Sequence, residues 1–238
     1  MSEKFKSNLI NGEWIENGSQ FMSVNPSDIS DQIGPFYEAT ENDCHLAISS
    51  ARNAFKLWSQ SQLEERKKIL DQIGDALINN SQEIGKLIAR EEGKTVAEGV
   101  GEVYRSGQFF QYFGAEVLRQ MGEVATSVRP NIDIEVTREP LGVIGVITPW
   151  NFPVAVAAWK IAPAIAFGNS VVLKPSEIVP ASASAFAEII HQSELPDGVF
   201  NCVQGSGDVG QIITNSKNID GISFTGSVRT GNQIAQNA

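Results

Sequence analysis

The stretch VIGVITPWNFPVAVAAWKIAPAIAFGNSVVLKPSE, residues 143–177, decides the fold of this chain. It contains a β-branched run, a turn, a long apolar run with helical spacing, and a second β-branched run. Two further runs of this kind follow, VFNCVQ at 199–204 and GISFTG at 221–226, each after a helical segment. Strands that alternate with helices through short loops predict a doubly wound, Rossmann-like parallel sheet of the α/β class. The runs are continuously apolar because helices cover both faces of such a sheet.

The residues before this sheet differ in their periodicity. The first forty are rich in turns, and Asn11-Gly12 between apolar residues predicts a β-hairpin. From about residue 40 the apolar spacing becomes helical, and IDIEVTREP at 132–140 then alternates like a strand. The predicted parts are an N-terminal hairpin and helices at 1–120, strands at 121–140, and the Rossmann-like region at 141–238.

The composition favours a soluble, acidic protein of a reducing compartment. Its 238 residues include 28 Asp+Glu and 18 Lys+Arg, for a net charge of −10, which argues against a nucleic-acid surface. No apolar run is long enough to span a membrane, and the first residues lack the apolar core of a signal peptide. Cys44 and Cys202 are too few for a disulfide framework, and His45 and His191 lack the spacing of metal ligands. We therefore expect a cytoplasmic protein without a metal site.

The carboxyl ends of the strands are where a doubly wound sheet binds its ligands. This rule selects the segments after the four predicted strands: Thr148–Asn151, Lys174–Glu177, Gly205–Gly207 and Thr225–Ser227. In the second segment a cation, Lys174, and a carboxylate, Glu177, could hold ribose hydroxyls or an adenosine phosphate. A solvated pair of loop charges explains the same two residues equally well.

Two glycine-containing turns suggest a dinucleotide. GSGDVG at 205–210 matches the G-x-G-x-x-G fingerprint between a strand and a helix. The acidic residue that should end the next strand is missing, however, because GISFTG ends in Thr225-Gly226. A tight turn that requires glycine is the alternative. At FTGS, Gly226 and Ser227 begin a helix that could bind a pyrophosphate, although an N-cap serine would look the same.

Asn151 carries a side-chain amide with two N–H donors at the mouth of the apolar core. Beside a carbonyl that becomes an oxyanion, such a donor stabilises the developing charge. A turn or helix-cap residue ahead of Pro153 is the alternative. Cys202 lies within an apolar strand, where a thiol is usually inert. GKT at 93–95 resembles the end of a phosphate loop, but Ile88 stands where that loop needs glycine.

Four motifs in this order, PLGVIGVITPWNFP, VVLKPSE, GSGDVG and FTGS, resemble the NAD(P)-dependent aldehyde dehydrogenase superfamily. The likeness extends over essentially the whole chain, from LINGEW at 9–14 to FTGSVRTG at 224–231. Residues 153–177 are similar to the branch that oxidises 2-oxoglutarate semialdehyde and related semialdehydes. The resemblance implies a truncated aldehyde dehydrogenase fold with N-terminal helices and part of an oligomerisation β element, which includes IDIEVTREP.

The resemblance also implies roles for the matching positions. Asn151 matches the amide of the oxyanion hole, and its neighbour Trp150 lines the nicotinamide side. Lys174 and Glu177 match the residues that hold the adenosine ribose, and Gly207 lets the backbone approach the adenine end. The implied cofactor-binding residues are Thr148, Pro149, Trp150, Asn151, Lys174, Ser176, Glu177, Gly207, Gly226 and Ser227. The last two correspond to the pyrophosphate-binding helix start.

The cofactor implied by the resemblance is NAD or NADP. Glu177 favours NAD, because a carboxylate accepts from the ribose 2′-hydroxyl and repels a 2′-phosphate. Lys174 and Ser176 leave NADP open. The implied partners are an aldehyde or semialdehyde substrate and further copies of the chain, as a homo-oligomer of the complete enzyme.

The family's mechanism implies a cysteine thiolate that attacks the aldehyde, hydride transfer to the cofactor, and hydrolysis of a thioester by water that a glutamate activates. In the family this cysteine and glutamate follow the FTGS helix, and here the sequence stops at Ala238 in a helical pattern without a C-cap. We therefore expect the N-terminal, cofactor-binding portion of an aldehyde dehydrogenase, which needs a C-terminal half or a complementary chain for activity. A non-catalytic nucleotide-binding or assembly module of the same fold is the alternative.

Overall fold

Within residues 5–119 and 121–237, which the computed structural model describes, the chain forms a central sheet, two separate hairpins and surrounding helices. The strands are β1 (Asn8–Ile10), β2 (Glu13–Ile15), β3 (Gln20–Val24), β4 (Gln32–Tyr37), β5 (Glu123–Thr126), β6 (Asp133–Val136), β7 (Val143–Ile147), β8 (Ser170–Lys174), β9 (Phe200–Cys202) and β10 (Gly221–Phe224). The helices are α1 (Glu41–Trp58), α2 (Leu63–Asn79), α3 (Ser81–Glu92), α4 (Val96–Glu116), α5 (Ala155–Ala166), α6 (Pro180–His191), α7 (Gly207–Thr214) and α8 (Val228–Asn237).

The central sheet has the strand order β10-β7-β8-β9-β1-β2. β10, β7, β8 and β9 run parallel to one another, which confirms the predicted doubly wound sheet. β8 and β9 follow on one side of β7, and β10 then lies on the other side of β7. The strand order therefore reverses beside β7. The carboxyl ends of β7 and β10 therefore flank the position where such sheets open a crevice for ligands.

The predicted N-terminal hairpin also belongs to this sheet, which the sequence did not indicate. Asn11 and Gly12 have φ angles of 52° and 76°, as a two-residue type I′ turn requires. β1 pairs antiparallel with β9, where Leu9 lies opposite Cys202. The sheet is therefore mixed, with a parallel centre and an antiparallel edge.

Residues of the central strands alternate between two hydrophobic cores, one on each face of the sheet. Ile144 and Val146 of β7 pack with α2, α4, α5 and α6, whereas Val143 packs with α1 and α7. Val171 and Val172 of β8 divide between the same two cores. Both faces are covered by helices, which explains why these strands are apolar throughout.

Local signals build the turn between α3 and α4. Gly93 ends α3 with a φ of 90°, a left-handed conformation that glycine adopts without strain. The Thr95 hydroxyl then accepts from the N–H of Glu98, whose carboxylate accepts from the N–H of Thr95, and this capping box begins α4. Thr40 and Asp43 form the same arrangement at the start of α1.

Glycines bring α4 into backbone contact with its neighbours. A Cβ atom on Gly99 would lie 2.3 Å from the carbonyl oxygen of Gly85 in α3. A Cβ atom on Gly107 would lie 2.5 Å from the carbonyl oxygen of Gly74 in α2. Any side chain at these positions would push the helices apart, so the glycines fix where α4 lies.

β5 and β6 form a hairpin outside both cores. All four residues of each strand are exposed, and Val124 is 83% exposed. The alternating pattern of 132–140 thus predicted a strand correctly, but neither face of that strand is buried. The division of the chain at residues 121 and 141 stays a prediction. In the described part of the chain, no helix is long and apolar enough to cross a membrane.

Candidate functional site

A cavity of about 470 Å³ opens at the carboxyl edge of the central sheet. Ile147 at the end of β7 and Lys174 at the end of β8 line it, together with residues of α7 and α8. Gly207 contributes from α7 and Thr230 from α8. The cavity therefore brings together two of the predicted site residues, Lys174 and Gly207, at the place that the topology selects.

The Lys174 side chain is buried, with 7% of its surface exposed, and its ammonium donates to Glu177 at 3.2 Å. Burial lowers the pKa of Lys174 below its usual value, while the charges of Glu177 and Glu38 oppose that shift. Among residues 5–119 and 121–237, Glu177 is the one hydrogen-bond acceptor of this ammonium. A lysine ammonium has three donors, so Lys174 can bind an oxygen-rich ligand without giving up its partner.

The other residues of the VVLKPSE segment are arranged around Lys174. The Glu177 side chain is half exposed, so its carboxylate remains open to a ligand. Ser176 is buried, and its hydroxyl accepts from the N–H of Ile178 at 3.3 Å. That contact makes Ser176 part of the turn after β8, and the residue is not among those that line the cavity.

The GSGDVG turn is partly occupied by a carboxylate from far away in the sequence. Glu38, just after β4, accepts from the N–H of Ser206 at 2.9 Å and from the Ser19 hydroxyl at 3.2 Å. Hydrogen bonds from Ser206 hold the pKa of Glu38 below its usual range. A Cβ atom on Gly205, whose φ is 149°, would lie 2.9 Å from the Glu38 side chain. The turn therefore differs from a standard fingerprint, in which these N–H groups face a pyrophosphate.

The FTGS segment begins α8 as the sequence predicts. The Ser227 hydroxyl accepts from the N–H of Thr230 at 3.2 Å and lies 2.9 Å from the Thr230 hydroxyl. This is the geometry of an N-cap serine. A Cβ atom on Gly226 would lie 2.5 Å from the ring of Phe224, so a side chain there would require that ring to move. Because Thr230 lines the cavity, Ser227 lies one hydrogen bond from that lining.

The segment Thr148–Asn151 forms a turn between β7 and α5. Thr148 is buried, and its hydroxyl has no hydrogen-bond partner in the described residues. Its N–H donates to the carbonyl of Lys174 at 3.2 Å, which ties this turn to the end of β8. Pro149 is partly buried, and Trp150 and Asn151 are exposed. The structure therefore places the Asn151 side chain at the surface rather than in the cavity lining.

Two charged residues of the α3–α4 region hold this turn in place, and the sequence gave no indication of them. Lys94 donates to the backbone carbonyl of Asn151 at 2.9 Å and to the Glu102 carboxylate at 2.7 Å. The other oxygen of Glu102 accepts from the N–H groups of Val154 and Ala155 at 2.9 and 3.1 Å. Glu102 thus satisfies the free N–H groups at the start of α5, which would otherwise be buried without partners.

Glu91 performs the equivalent task for α6. Its carboxylate accepts from the N–H groups of Ala181 and Ser182, both at 2.7 Å, and from the Ser182 hydroxyl at 2.6 Å. Burial raises the pKa of Glu91 to about 7, although these hydrogen bonds act in the opposite direction. Within the segment 91–94, Glu91 therefore supports the start of α6, and Lys94 supports the turn before α5.

Neither cysteine is suited to act as a nucleophile. Cys44 in α1 and Cys202 in β9 are both fully buried, and burial raises the pKa of each thiol to about 12. At neutral pH both therefore stay protonated, and a thiol is a poor nucleophile. This agrees with the sequence-based expectation for Cys202. In the described residues, no group of three or more His, Cys, Asp or Glu side chains could hold a metal ion.

Residues 14–238 match the model of the aldehyde dehydrogenase family. The chain is 37% identical over 234 residues to an alpha-ketoglutarate semialdehyde dehydrogenase of Haloferax volcanii, covering 97% of this chain and 48% of that protein. It is 39% identical over 236 residues to betaine aldehyde dehydrogenase 2 of Rhizobium meliloti, covering 98% and 48%. The chain spans about half the length of the curated relatives it matches.

Solved structures give the same result for the fold. A betaine aldehyde dehydrogenase of Staphylococcus aureus, solved in complex with NAD+, superposes with a TM-score of 0.95 at 34% identity, covering 99% of this chain and 48% of that chain. An NADP-dependent enzyme of E. coli also superposes with a TM-score of 0.95 at 34% identity, covering 98% and 49%. The truncated form of the fold expected from the sequence agrees with this half-length coverage. The chain belongs to the aldehyde dehydrogenase family.

Proposed function

We propose that this chain binds NAD(P) at the carboxyl edge of its sheet and supplies the oxyanion-stabilising amide for the oxidation of an aldehyde or semialdehyde to a carboxylate. The observation that carries the proposal is the buried Lys174 ammonium, which faces a cavity of about 470 Å³ with one protein acceptor among the described residues. A buried cation needs anionic or hydrogen-bonding partners, and ribose hydroxyls and phosphates supply both.

The residues present fit such a cofactor. Thr148 has a buried hydroxyl without a partner in the described residues, and a bound ligand would satisfy it. Lys174 and Glu177 would hold the ribose hydroxyls, and Gly207 leaves open space where the adenine end would approach. Gly226 and Ser227 would present the start of α8 to the pyrophosphate. NAD(P) supplies the hydride acceptor when it is bound.

Asn151 would act on the substrate. Its side chain is exposed on the turn after β7, where its N–H groups can donate to an aldehyde oxygen that gains negative charge. Trp150 and Pro149 would line the nicotinamide side of the same turn. Among the relatives are enzymes named for semialdehydes, which supports this substrate class.

The attacking thiolate would come from outside this chain, because burial keeps both of its cysteines protonated. The glutamate that activates water would be supplied in the same way. Reduced cofactor accumulating from an aldehyde and NAD in a solution of the pure chain would contradict this part of the proposal.

The oligomeric state and the cellular location complete the proposal. We infer a homo-oligomer assembled through the exposed β5–β6 hairpin, which sedimentation of the chain with and without that hairpin would test. We also infer a cytoplasmic location, which cell fractionation would test.

Calorimetric titration of the purified chain with NAD tests the cofactor site. Replacing Lys174 by Ala is expected to weaken binding about 10- to 100-fold, because it removes charge-assisted hydrogen bonds. Lys217→Ala is the matched control, since Lys217 is exposed and precedes β10, at the end of the parallel strands opposite to the cavity. We expect NADP to bind more weakly than NAD, since Glu177 repels a 2′-phosphate. Equal NAD affinity of the unaltered chain and of Lys174→Ala would refute the assignment.

A further inference from the structure

The turn that carries Asn151 is held at two points by a single ion pair. The carbonyl of Asn151 accepts from Lys94, 57 residues earlier in the chain, at 2.9 Å. Three residues after Asn151, the chain is held again where Val154 donates to Glu102. Lys94 and Glu102 are joined at 2.7 Å, so both contacts depend on the same pair.

The pair lies in a protected environment. The Lys94 side chain is 10% exposed and that of Glu102 is 0% exposed. Glu92 lies 2.8 Å from the Lys94 ammonium as a second ion-pair partner. The ring of Phe152 covers the ammonium at 4.2 Å from its centre. Away from water, charge-assisted contacts of this kind are stronger and better oriented than at the surface.

Burial lowers the pKa of Lys94, but hydrogen bonds and charge from Glu102 and Glu92 outweigh it, so that the pKa lies above its usual value. Lys94 therefore stays a cation at neutral pH and keeps its donor to the Asn151 carbonyl.

We propose that Lys94 is a positioning residue that fixes the backbone of Asn151, so that the side-chain amide points to the developing oxyanion. The inference rests on the proposed function, because it gives Asn151 a substrate to act on. An amide that stabilises an oxyanion must be held to within about 0.5 Å by neighbouring groups. Asn151 lies on an exposed turn, and in the described residues the bond from Lys94 to its carbonyl is the one side-chain hydrogen bond to its backbone.

Support of α5 and support of Asn151 can be separated. Within residues 5–119 and 121–237, Glu102 is the side chain that accepts from the N–H groups of Val154 and Ala155, whereas Lys94 is the side chain that donates to the Asn151 carbonyl. A glutamine at position 102 keeps an acceptor for the helix and carries no charge. Removing Lys94 in that background therefore releases Asn151 without leaving the fully buried Glu102 as an unpaired carboxylate, which would threaten folding. Glu92 also loses its cation, and the burial that already raises its pKa favours its neutral form there.

The test compares Glu102→Gln with the double variant Lys94→Met/Glu102→Gln in this 238-residue chain. The first readout is the ¹⁵N heteronuclear NOE of residues 150–152, which reports backbone mobility and which we expect to fall in the double variant alone because the Asn151 carbonyl loses its donor. The second is the side-chain amide resonance of Asn151 in a ¹⁵N spectrum, assigned by its loss in Asn151→Ala. We expect this resonance to shift or broaden in the double variant alone. Hydrogen exchange of α5 and of the central sheet is followed in the same samples. Lys86→Met, at an exposed position of α3, is the matched control.

Two outcomes would overturn the inference. In one, the NOE values of residues 150–152 and the Asn151 resonance are the same in Glu102→Gln and in the double variant. In the other, hydrogen exchange in α5 and the central sheet becomes faster in the double variant, which would mean that Lys94 supports the fold as a whole. NAD titration of the same samples separates this question from the proposed function. Failure of the unaltered chain to bind NAD contradicts the proposed function, whereas the NOE values and the Asn151 resonance report on Lys94 alone.

Discussion

The first turns of α5 and α6 both contain free N–H groups, and the carboxylates that accept from them differ in their surroundings. Neither helix has a side-chain cap of its own, and in each a buried glutamate from another helix accepts its free N–H groups. Glu102 at α5 is paired with Lys94, whereas Glu91 at α6 accepts from N–H and O–H donors without a cation among the described residues. The pKa of Glu91 is accordingly raised by burial to about 7.

This difference shows what a buried countercharge contributes. Hydrogen bonds alone do not offset the desolvation of Glu91, so its charge is sensitive to pH in the neutral range. The ion pair at α5 includes the residue that contacts Asn151, so the two sites also differ in what they support. The α5 site holds the turn proposed for catalysis, and the α6 site holds the helix that follows the proposed ribose site.

The largest effect is expected for Glu102→Ala, which removes the carboxylate from the α5 site. The buried Lys94 ammonium would lose its hydrogen bond to Glu102. Two N–H groups at the start of α5 would also lose their acceptor. Breaking a buried ion pair in this way costs about 3–5 kcal/mol of the free energy of unfolding. Urea unfolding at pH 7 measures it, with Glu16→Ala in an exposed loop as the control. A loss below about 1 kcal/mol would mean that the pair contributes little.

A smaller loss is expected for Gly99→Ala, which shifts α4, the helix that carries Glu102. The added methyl group would meet the backbone of Gly85 in α3, and overpacking of this kind costs about 1–3 kcal/mol. Gly101→Ala is a matched control on the same helix, because a Cβ atom there meets nothing within 4 Å. That control should gain up to about 1 kcal/mol from the higher helix propensity of alanine. Similar thermal stability of the two variants would show that α3 and α4 can move apart without cost.

The smallest effect per unit of pH is expected from Glu91→Gln and appears as a pH dependence. The pKa of Glu91 is about 7 in the folded chain and 4.5 for the ordinary group, so the folded state binds more protons between these values. The free energy of unfolding contributed by Glu91 therefore falls as the pH rises from 4.5 to 7, by at most about 1.4 kcal/mol per pH unit.

Glu91→Gln should remove this part of the pH dependence, whereas Glu102→Gln should leave it in place. Urea unfolding at several values between pH 4.5 and pH 7 measures the slope for both variants. An unchanged slope in Glu91→Gln would show that the three donors keep Glu91 ionised throughout this range.

Much of the fold follows from local patterns in the sequence. The β-branched runs and the helical segments between them form β7 to β10 and α5 to α7 in the predicted order. The turn at Asn11-Gly12 and the capping box at Thr40 and Asp43 also form as predicted. These features depend on residues a few positions apart, whose conformational preferences and spacing are visible in one chain.

The segments of the candidate site were also predictable, because strand ends in a doubly wound sheet lie at one edge. Lys174 and Gly207 line the cavity there, and Ser227 begins α8. The roles of these residues stay proposals. The sequence did not predict Glu38 at the GSGDVG turn, because Glu38 and Ser206 are 168 residues apart.

The sequence by itself thus determined the order of strands and helices, the class of the sheet and the segments at its ligand-binding edge. The tertiary structure alone decided that β1 pairs with β9, that Lys94 holds Asn151, and that Glu102 and Glu91 cap helices to which they do not belong. The physical reason is that periodicity and capping patterns encode contacts within one element. A buried N–H group, in contrast, can donate to any suitable acceptor that packing brings within about 3 Å, however distant in the chain.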